Sequence, residues 1–193
     1  MMKICVYCSS SDLIDDKYFQ IAQKMGELIG KNSYDFVFGG GVVGLMGEVA
    51  KNAKLNGSKV IGVIPEKLHQ HKICFEECDE LIVTKNMRDR KQIMDELSDA
   101  FIALPGGFGT LEELSEMITG KQLSFHQKPL VILDVDGFYA PLTEFFENMI
   151  KEKFAKESCK ELYYITSSPE DAIRYIKEYV PQDAPSKWSP SRM

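Results

Sequence analysis

The 193 residues fit one domain of ordinary size, and with 44% hydrophobic residues the chain can bury a real core. A formal net charge of -6 with no lysine/arginine-rich block argues against nucleic acid as a long polyanionic partner, but leaves a small anion open, because a local site needs only local positive charge. No apolar run reaches the roughly 18 residues of a membrane span. Met1-Met2-Lys3 runs straight into strand-like Ile4-Cys5-Val6-Tyr7 without a secretion signal, and five cysteines, an odd count, read as reduced thiols in a cytoplasmic protein.

In chain order, Lys3 to Cys8 reads as a strand closed by Ser9-Ser10-Ser11. Asp15 or Asp16 can start the next helix, where Phe19, Ile21, Ala22, Met25, Leu28 and Ile29 recur at helical spacing. Asp35-Phe36-Val37-Phe38 is a short strand running into Gly39-Gly40-Gly41, and Leu45, Met46, Val49, Ala50 and Ala53 give a helix ending near Gly57. Lys59 to Ile64 is a third strand, stopped by Pro65. Residues 66–79 have mixed charge and no period, and read as a loop on the rim of a site. Leu81-Ile82-Val83 is a strand, and Asn86 can cap a helix carrying Met87, Ile93, Met94 and Leu97.

Ala100 to Leu104 is a buried strand. It leads through Pro105-Gly106-Gly107-Phe108-Gly109-Thr110 into a helix with Leu111, Leu114, Met117 and Ile118 on its apolar face. Leu130 to Leu133 is another strand, and Phe138 to Phe154 a helix that admits Pro141 in its first turn. Leu162 to Ile165 and Pro169 to Tyr179 close the series as strand and helix. Residues 181–193, with three prolines and Trp188, read as a loosely held tail on which Trp188 could dock, behind a single domain spanning residues 1–180.

This alternation predicts an α/β fold: a doubly wound parallel sheet, Rossmann-like, with helices on both faces and right-handed crossovers. Ligands in such sheets bind at the carboxyl ends of the strands. Ser9–Ser11, Gly39–Gly41 and Gly106–Gly109 all follow strand ends, so they line one edge together. A glycine turn ahead of a helix brings bare N–H groups together for a phosphate. It is no Walker A loop, since no Gly-Lys-Ser/Thr follows.

Two local readings stay open. Either Thr110 and Glu113 form a capping box, or Glu113 faces a ligand held by the glycines. Arg88, Arg90 and Lys91 sit at the positive end of a predicted helix. Either an arginine turns toward an anion or a catalytic carboxylate, or the helix start is solvated with Asp89 or Glu96 as partner. Cys5-x-x-Cys8 with Cys74-x-x-x-Cys78 could be drawn as zinc ligands, but Cys5 and Cys8 would point to opposite faces of a strand and read better as small buried groups. His69, His71 and His126 have no metal-binding spacing and read as loop residues. No metal and no cofactor are therefore expected.

Pro105 to Glu113 matches the motif PGGxGTxxE, and the chain thereby resembles the LOG family of cytokinin riboside 5′-monophosphate phosphoribohydrolases, long mislabelled as lysine decarboxylases. Gly39 to Gly47, Val63-Ile64-Pro65 and Asp134 to Tyr139 also fit, so that the likeness covers roughly residues 3–180. The resemblance implies a Rossmann-like fold, a homodimer with active sites near its interface, and hydrolysis of the N-glycosidic bond of a nucleoside 5′-monophosphate to base and ribose 5-phosphate. It makes Glu113 and Arg90 the catalytic pair, and Gly106, Gly107, Gly109 and Thr110 the phosphate-binding residues. Gly41, Ser10, Met87 and Lys91 are further substrate-binding candidates.

Two departures stand out. Arg88 takes the place of a family histidine in Met-His-x-Arg-Lys, and Gly120 that of a tryptophan in Thr-Trp-x-Gln-Leu, which puts base preference in question. The rival readings are a non-catalytic nucleotide- or molybdenum-cofactor-binding module and a pyridoxal-phosphate decarboxylase. No lysine is marked by its context for the latter.

Overall fold

The computed structural model describes residues 1–71 and 73–181. The expected tail with Trp188 therefore falls, from residue 182 on, outside the described residues. Seven strands form one all-parallel sheet: β1 (Lys3–Tyr7), β2 (Asp35–Phe38), β3 (Val60–Pro65), β4 (Glu80–Thr84), β5 (Ala100–Ala103), β6 (Leu130–Leu133) and β7 (Tyr164–Thr166), in the order β4-β3-β2-β1-β5-β6-β7. The register sets Cys5 opposite both Val37 and Phe101. Beyond Lys3 and Asp35 at their first positions, the central strands are apolar because helices cover both faces of the sheet.

The helices are α1 (Asp16–Lys31), α2 (Gly44–Leu55), the single turn α3 (Glu66–His69), α4 (Met87–Leu97), α5 (Phe108–Gln122), α6 (Ala140–Lys151) and α7 (Pro169–Glu178). On one face Met25 and Ile29 of α1, Val49 of α2 and Ile173 of α7 pack on Ile4, Val6, Phe36 and Ile102. On the other, Met94 of α4 and Leu114 and Met117 of α5 pack on Cys5, Val37, Phe101 and Ile132. Each such fully buried Phe or Ile contributes about 1.5–3 kcal/mol of transfer free energy.

Helix starts follow the sequence where a cap is present. Asp15 accepts from the Lys17 N–H, Asn86 from Arg88 and Asp89, and Ser168 from Asp171. Three details differ from the sequence reading. The stretch after Pro65 is not all loop, since α3 occupies its start. Leu162 ends a 3-10 helix (Glu157–Leu162), so β7 begins only at Tyr164. Leu111 is exposed rather than on the buried face of α5.

The chain winds outward from β1 to β4 on one side, returns through α4 to β5 beside β1, and winds outward again to β7. The strand order thus reverses between β1 and β5, and in open α/β sheets ligands bind outside the carboxyl ends of the strands at such a point.

Candidate active site

The three turns expected at one edge do meet there. The Ser9 N–H donates to the Pro105 carbonyl (3.1 Å) and the Leu45 N–H to the Ser9 carbonyl (3.0 Å). Gly44, at φ +65°, lies so close to the backbone of Ser9–Ser11 that a Cβ would come within 2.7 Å of it. The β2 turn is held from outside by the 73–75 segment. The Val42 N–H donates to the Ile73 carbonyl (2.8 Å), the Phe75 N–H to the Gly40 carbonyl (2.9 Å), and buried Phe75 packs edge-on against Phe38. Part of the stretch after Pro65 thus packs against the β2 turn.

Arg90 and Glu113 form a buried ion pair beneath these turns, 7% and 8% exposed. Arg90 Nη1 donates to Glu113 Oε1 at 2.8 Å and Nε to the Val63 carbonyl at 3.1 Å. The guanidinium passes directly over Gly39, where a Cβ would overlap Nη2. Burial pushes the Glu113 carboxyl above its ordinary pKa, and the Arg90 charge and hydrogen bond pull the other way without cancelling it. An acid in this state can hold charge beside a developing cation or share a proton with water.

This pair decides the two open local readings. There is no capping box: α5 starts at Phe108 with Gly107 as N-cap and no side-chain cap bond. Thr110 is the third helical residue, buried against Gly106, and Glu113 reaches across to α4. Of the cations at the start of α4, Arg90 turns inward while Arg88 stays exposed.

The start of α5 differs from its neighbours. The other long helices that begin at this edge each have a polar side chain on an early N–H. Asp15, Asn86 and Ser168 serve α1, α4 and α7; Asp12 accepts from Gly44 of α2 (2.8 Å), and Asp134 from Tyr139 ahead of α6 (2.7 Å). On α5, Gly107, Phe108 and Gly109 are exposed, and a Cβ at either glycine would meet nothing within 4 Å. Open N–H groups at the positive end of a helix can take a phosphate.

The remaining candidates divide. Met87 stands one helical turn before Arg90, on the same face of α4 and toward the mouth. Ser10 is exposed beside Gly44, and Gly41 is buried opposite Cys74 in the bridge that holds the β2 turn. Lys91 is engaged elsewhere: its ammonium pairs with Glu112 and, at 2.8 Å, with Glu116. Asp12 and Tyr139 escaped the sequence reading. The Tyr139 hydroxyl donates to the Leu104 carbonyl (2.7 Å), fixing the strand end ahead of the glycine turn. Nothing in the local pattern marks either contact, since the partners lie 32 and 35 residues away.

Gly120 has a steric counterpart. A Cβ there would come within 3.2 Å of the His126 ring, which is buried and bonded through Nε2 to the Met117 carbonyl (2.9 Å). The imidazole therefore occupies space a larger residue 120 would need. Gly120 is also about 10 Å along α5 from Glu113 at 1.5 Å per residue. Cys5 and Cys8 belong to the cores on opposite faces of the sheet. Among the described residues no three His, Cys, Asp or Glu side chains are grouped to hold a metal ion, and no helix is long and apolar enough to cross a membrane.

Comparison with known proteins places this geometry. The family described as "possible lysine decarboxylase" matches residues 46–176. A probable cytokinin riboside 5′-monophosphate phosphoribohydrolase of Oryza sativa subsp. japonica is 40% identical over 99% of this chain and 80% of its own length. A cytokinin riboside 5′-monophosphate phosphoribohydrolase of Arabidopsis thaliana is 40% identical over 93% of this chain and 84% of its own length. Among solved structures, the molybdenum cofactor binding protein of Rippkaea orientalis superposes with a TM-score of 0.69 at 26% identity, covering 91% of this chain and 94% of that one. The corresponding carrier protein of Chlamydomonas reinhardtii reaches 0.72 at 23% identity, covering 92% and 96%, and shows the same fold. By the extent and identity of these matches, the chain belongs to the LOG family of cytokinin riboside 5′-monophosphate phosphoribohydrolases.

Proposed function

We propose that this protein hydrolyses the N-glycosidic bond of AMP or an N6-substituted AMP, such as a cytokinin riboside 5′-monophosphate, giving free base and ribose 5-phosphate. The observation that carries the reading is the buried Arg90–Glu113 pair, set beneath the uncapped start of α5 at the switch point of the sheet. The relatives' names supply the reaction class.

In this reading the 5′-phosphate sits on the N–H groups of Gly106, Gly107 and Gly109 with Thr110 beside them, and Ser10 and Gly41 close the cradle. Glu113 lies one turn further along α5 than Gly109 and Thr110, where the sugar of a phosphate-anchored nucleotide would lie. As the C1′–N bond breaks, its electron pair leaves with the base, which takes up a proton. Positive charge develops on the sugar, and water adds to C1′. A carboxylate facing that charge lowers the barrier and can polarise the water. Arg90 holds the carboxylate through Oε1 and offsets the cost of burying its charge. Met87, at the mouth, faces the base.

The same reading takes the protein as a homodimer with its sites near the interface. α6 has no fully buried residue, yet Leu142, Phe145, Phe146 and Met149 line, with Leu111 and Phe154, a groove of about 480 Å³. Leu111 lies between Thr110 and Glu112, so a second copy seated there would reach the rim of the site. Sedimentation should return twice the 21.9 kDa of one chain, and a monomer would refute the assembly. The small nucleotide, rather than a nucleic acid or a membrane, is the partner, and the cytoplasm the compartment.

The test is to incubate the purified protein with AMP, and separately with isopentenyl-AMP, without added metal or cofactor. Equal amounts of free base and ribose 5-phosphate are expected. Binding of intact nucleotide without release of base would favour a carrier module instead.

A further inference from the structure

Adjacent residues of α4 are paired with adjacent residues of α5. Arg90 meets Glu113 in the interior, and Lys91 meets Glu112, and Glu116 one turn on, at the surface. Side chains of both helices span the gap between α4 and α5 at this point. The inner rung uses one carboxylate oxygen and one guanidinium nitrogen, and a single contact of that kind fixes a distance but not an orientation. Glu112 and Glu116 lie on one face of α5, four residues apart, where like charges repel unless a cation sits between them. The Lys91 side chain does so, at 15% exposure against 56% and 50% for its partners.

We propose that Lys91 is a positioning residue for the Arg90–Glu113 pair, acting as an outer clip that sets the separation of α4 and α5, and that it does not take up the substrate phosphate. The proposal rests on the phosphoribohydrolase reading for its kinetic readout. An ammonium already shared by two carboxylates has little positive potential left for an anion. The same ammonium holds the helix that carries Glu113 against the helix that carries Arg90.

The kinetic test separates the two roles. Lys91→Met should lower kcat about tenfold while KM for the nucleotide stays within about twofold, since a small displacement of a catalytic group costs turnover more than binding. Lys91→Arg should restore most of the rate. The paired substitution Glu112→Gln with Glu116→Gln, which leaves Lys91 in place, should reproduce the loss of kcat. A tenfold rise in KM with unchanged kcat in Lys91→Met would overturn the proposal. So would a lower KM and a normal kcat in the paired variant, because freeing the lysine would then improve substrate binding.

A second readout needs no turnover. The Lys91 charge itself lowers the Glu113 carboxyl and the Glu112 charge raises it, so the paired Glu112→Gln, Glu116→Gln variant is the discriminating one. Loss of the Glu112 charge alone would lower the carboxyl, whereas a loosened Arg90 contact should make it titrate at higher pH than in the wild type, followed by carbon-13 NMR. An unchanged or lowered titration would refute the positioning role. A wild type that releases no base would instead refute the hydrolase reading while leaving this measurement intact.

Discussion

The guanidinium of Arg90 lies over the backbone of Gly39, in the space a Cβ at residue 39 would fill. The glycine is there because an arginine must cross the end of β2 to reach Glu113, not because the chain must turn. Gly39→Ala should therefore displace Arg90 and lower kcat about a hundredfold, the scale of a misplacement of about 1 Å. The fold should survive as a weakened one. Steady-state kinetics with a urea melt checks this, and wild-type kcat in a folded Gly39→Ala protein would contradict it.

Gly107 and Gly109 have the opposite surroundings, with open space around each and no positive φ. Alanine at either position should fold normally. At Gly109, inside α5, it should even add about 0.5–1 kcal/mol. The methyl would crowd the proposed phosphate cradle, so KM for AMP should rise several-fold or more. A stable Gly109→Ala protein with unchanged KM would move the phosphate elsewhere.

Burial raises the Glu113 carboxyl and Arg90 lowers it, so removing Arg90 has a definite sign. In Arg90→Gln the carboxyl should protonate at higher pH, and the acid limb of the residual activity should shift upward. Stability follows the same sign. A carboxyl raised by folding favours the folded state below its unfolded value, and that stability is lost as pH rises through the folded value. The loss should be larger in Arg90→Gln than in wild type. A pH–rate profile and unfolding at two pH values test both statements, and a downward shift of the acid limb would refute them.

How much of this was legible in the sequence depends on range. The strand and helix order was readable because apolar runs and periods are local, and Asn86, Pro141 and Pro169 marked helix starts correctly. Convergence of the glycine turns followed from a parallel sheet placing all strand ends on one edge. The surroundings of Thr110 and Glu113 did not follow, since Thr-x-x-Glu writes a capping box and an inward-facing carboxylate alike. Only the position of Arg90, 23 residues away, separates them. The ion pairs of Lys91 were hidden for the same reason: its partners lie on another helix.

Lys121 is a cost of the fold away from the site. It is 3% exposed, its Nζ has no hydrogen-bond partner among the described residues, and it rests over the Tyr179 ring at 4.8 Å. Burial pushes its pKa down to about 8 from 10.5. The sign is that of a depressed group: its contribution to stability is present above the unfolded value and lost as pH falls through about 8. Lys121→Met should stabilise the protein at pH 7 by about 1–3 kcal/mol, less what the ring contact returns. The gain should shrink above pH 9. Urea unfolding at both pH values measures it, and a net loss at pH 7 would show that the ammonium is held by more than Tyr179.

In the proposed reaction the Glu113 carboxylate, held by Arg90, stabilises the charge that develops as the bond breaks. Its most direct test is Glu113→Gln, which keeps size and a hydrogen-bonding oxygen for Arg90 but removes the charge. Turnover of AMP or isopentenyl-AMP should fall about a hundred- to a thousandfold, the scale of a lost charge-stabilising group. Nucleotide affinity measured by calorimetry should stay within a few-fold, because the phosphate is held by the start of α5. A Glu113→Gln protein that releases base at the wild-type rate would contradict the account.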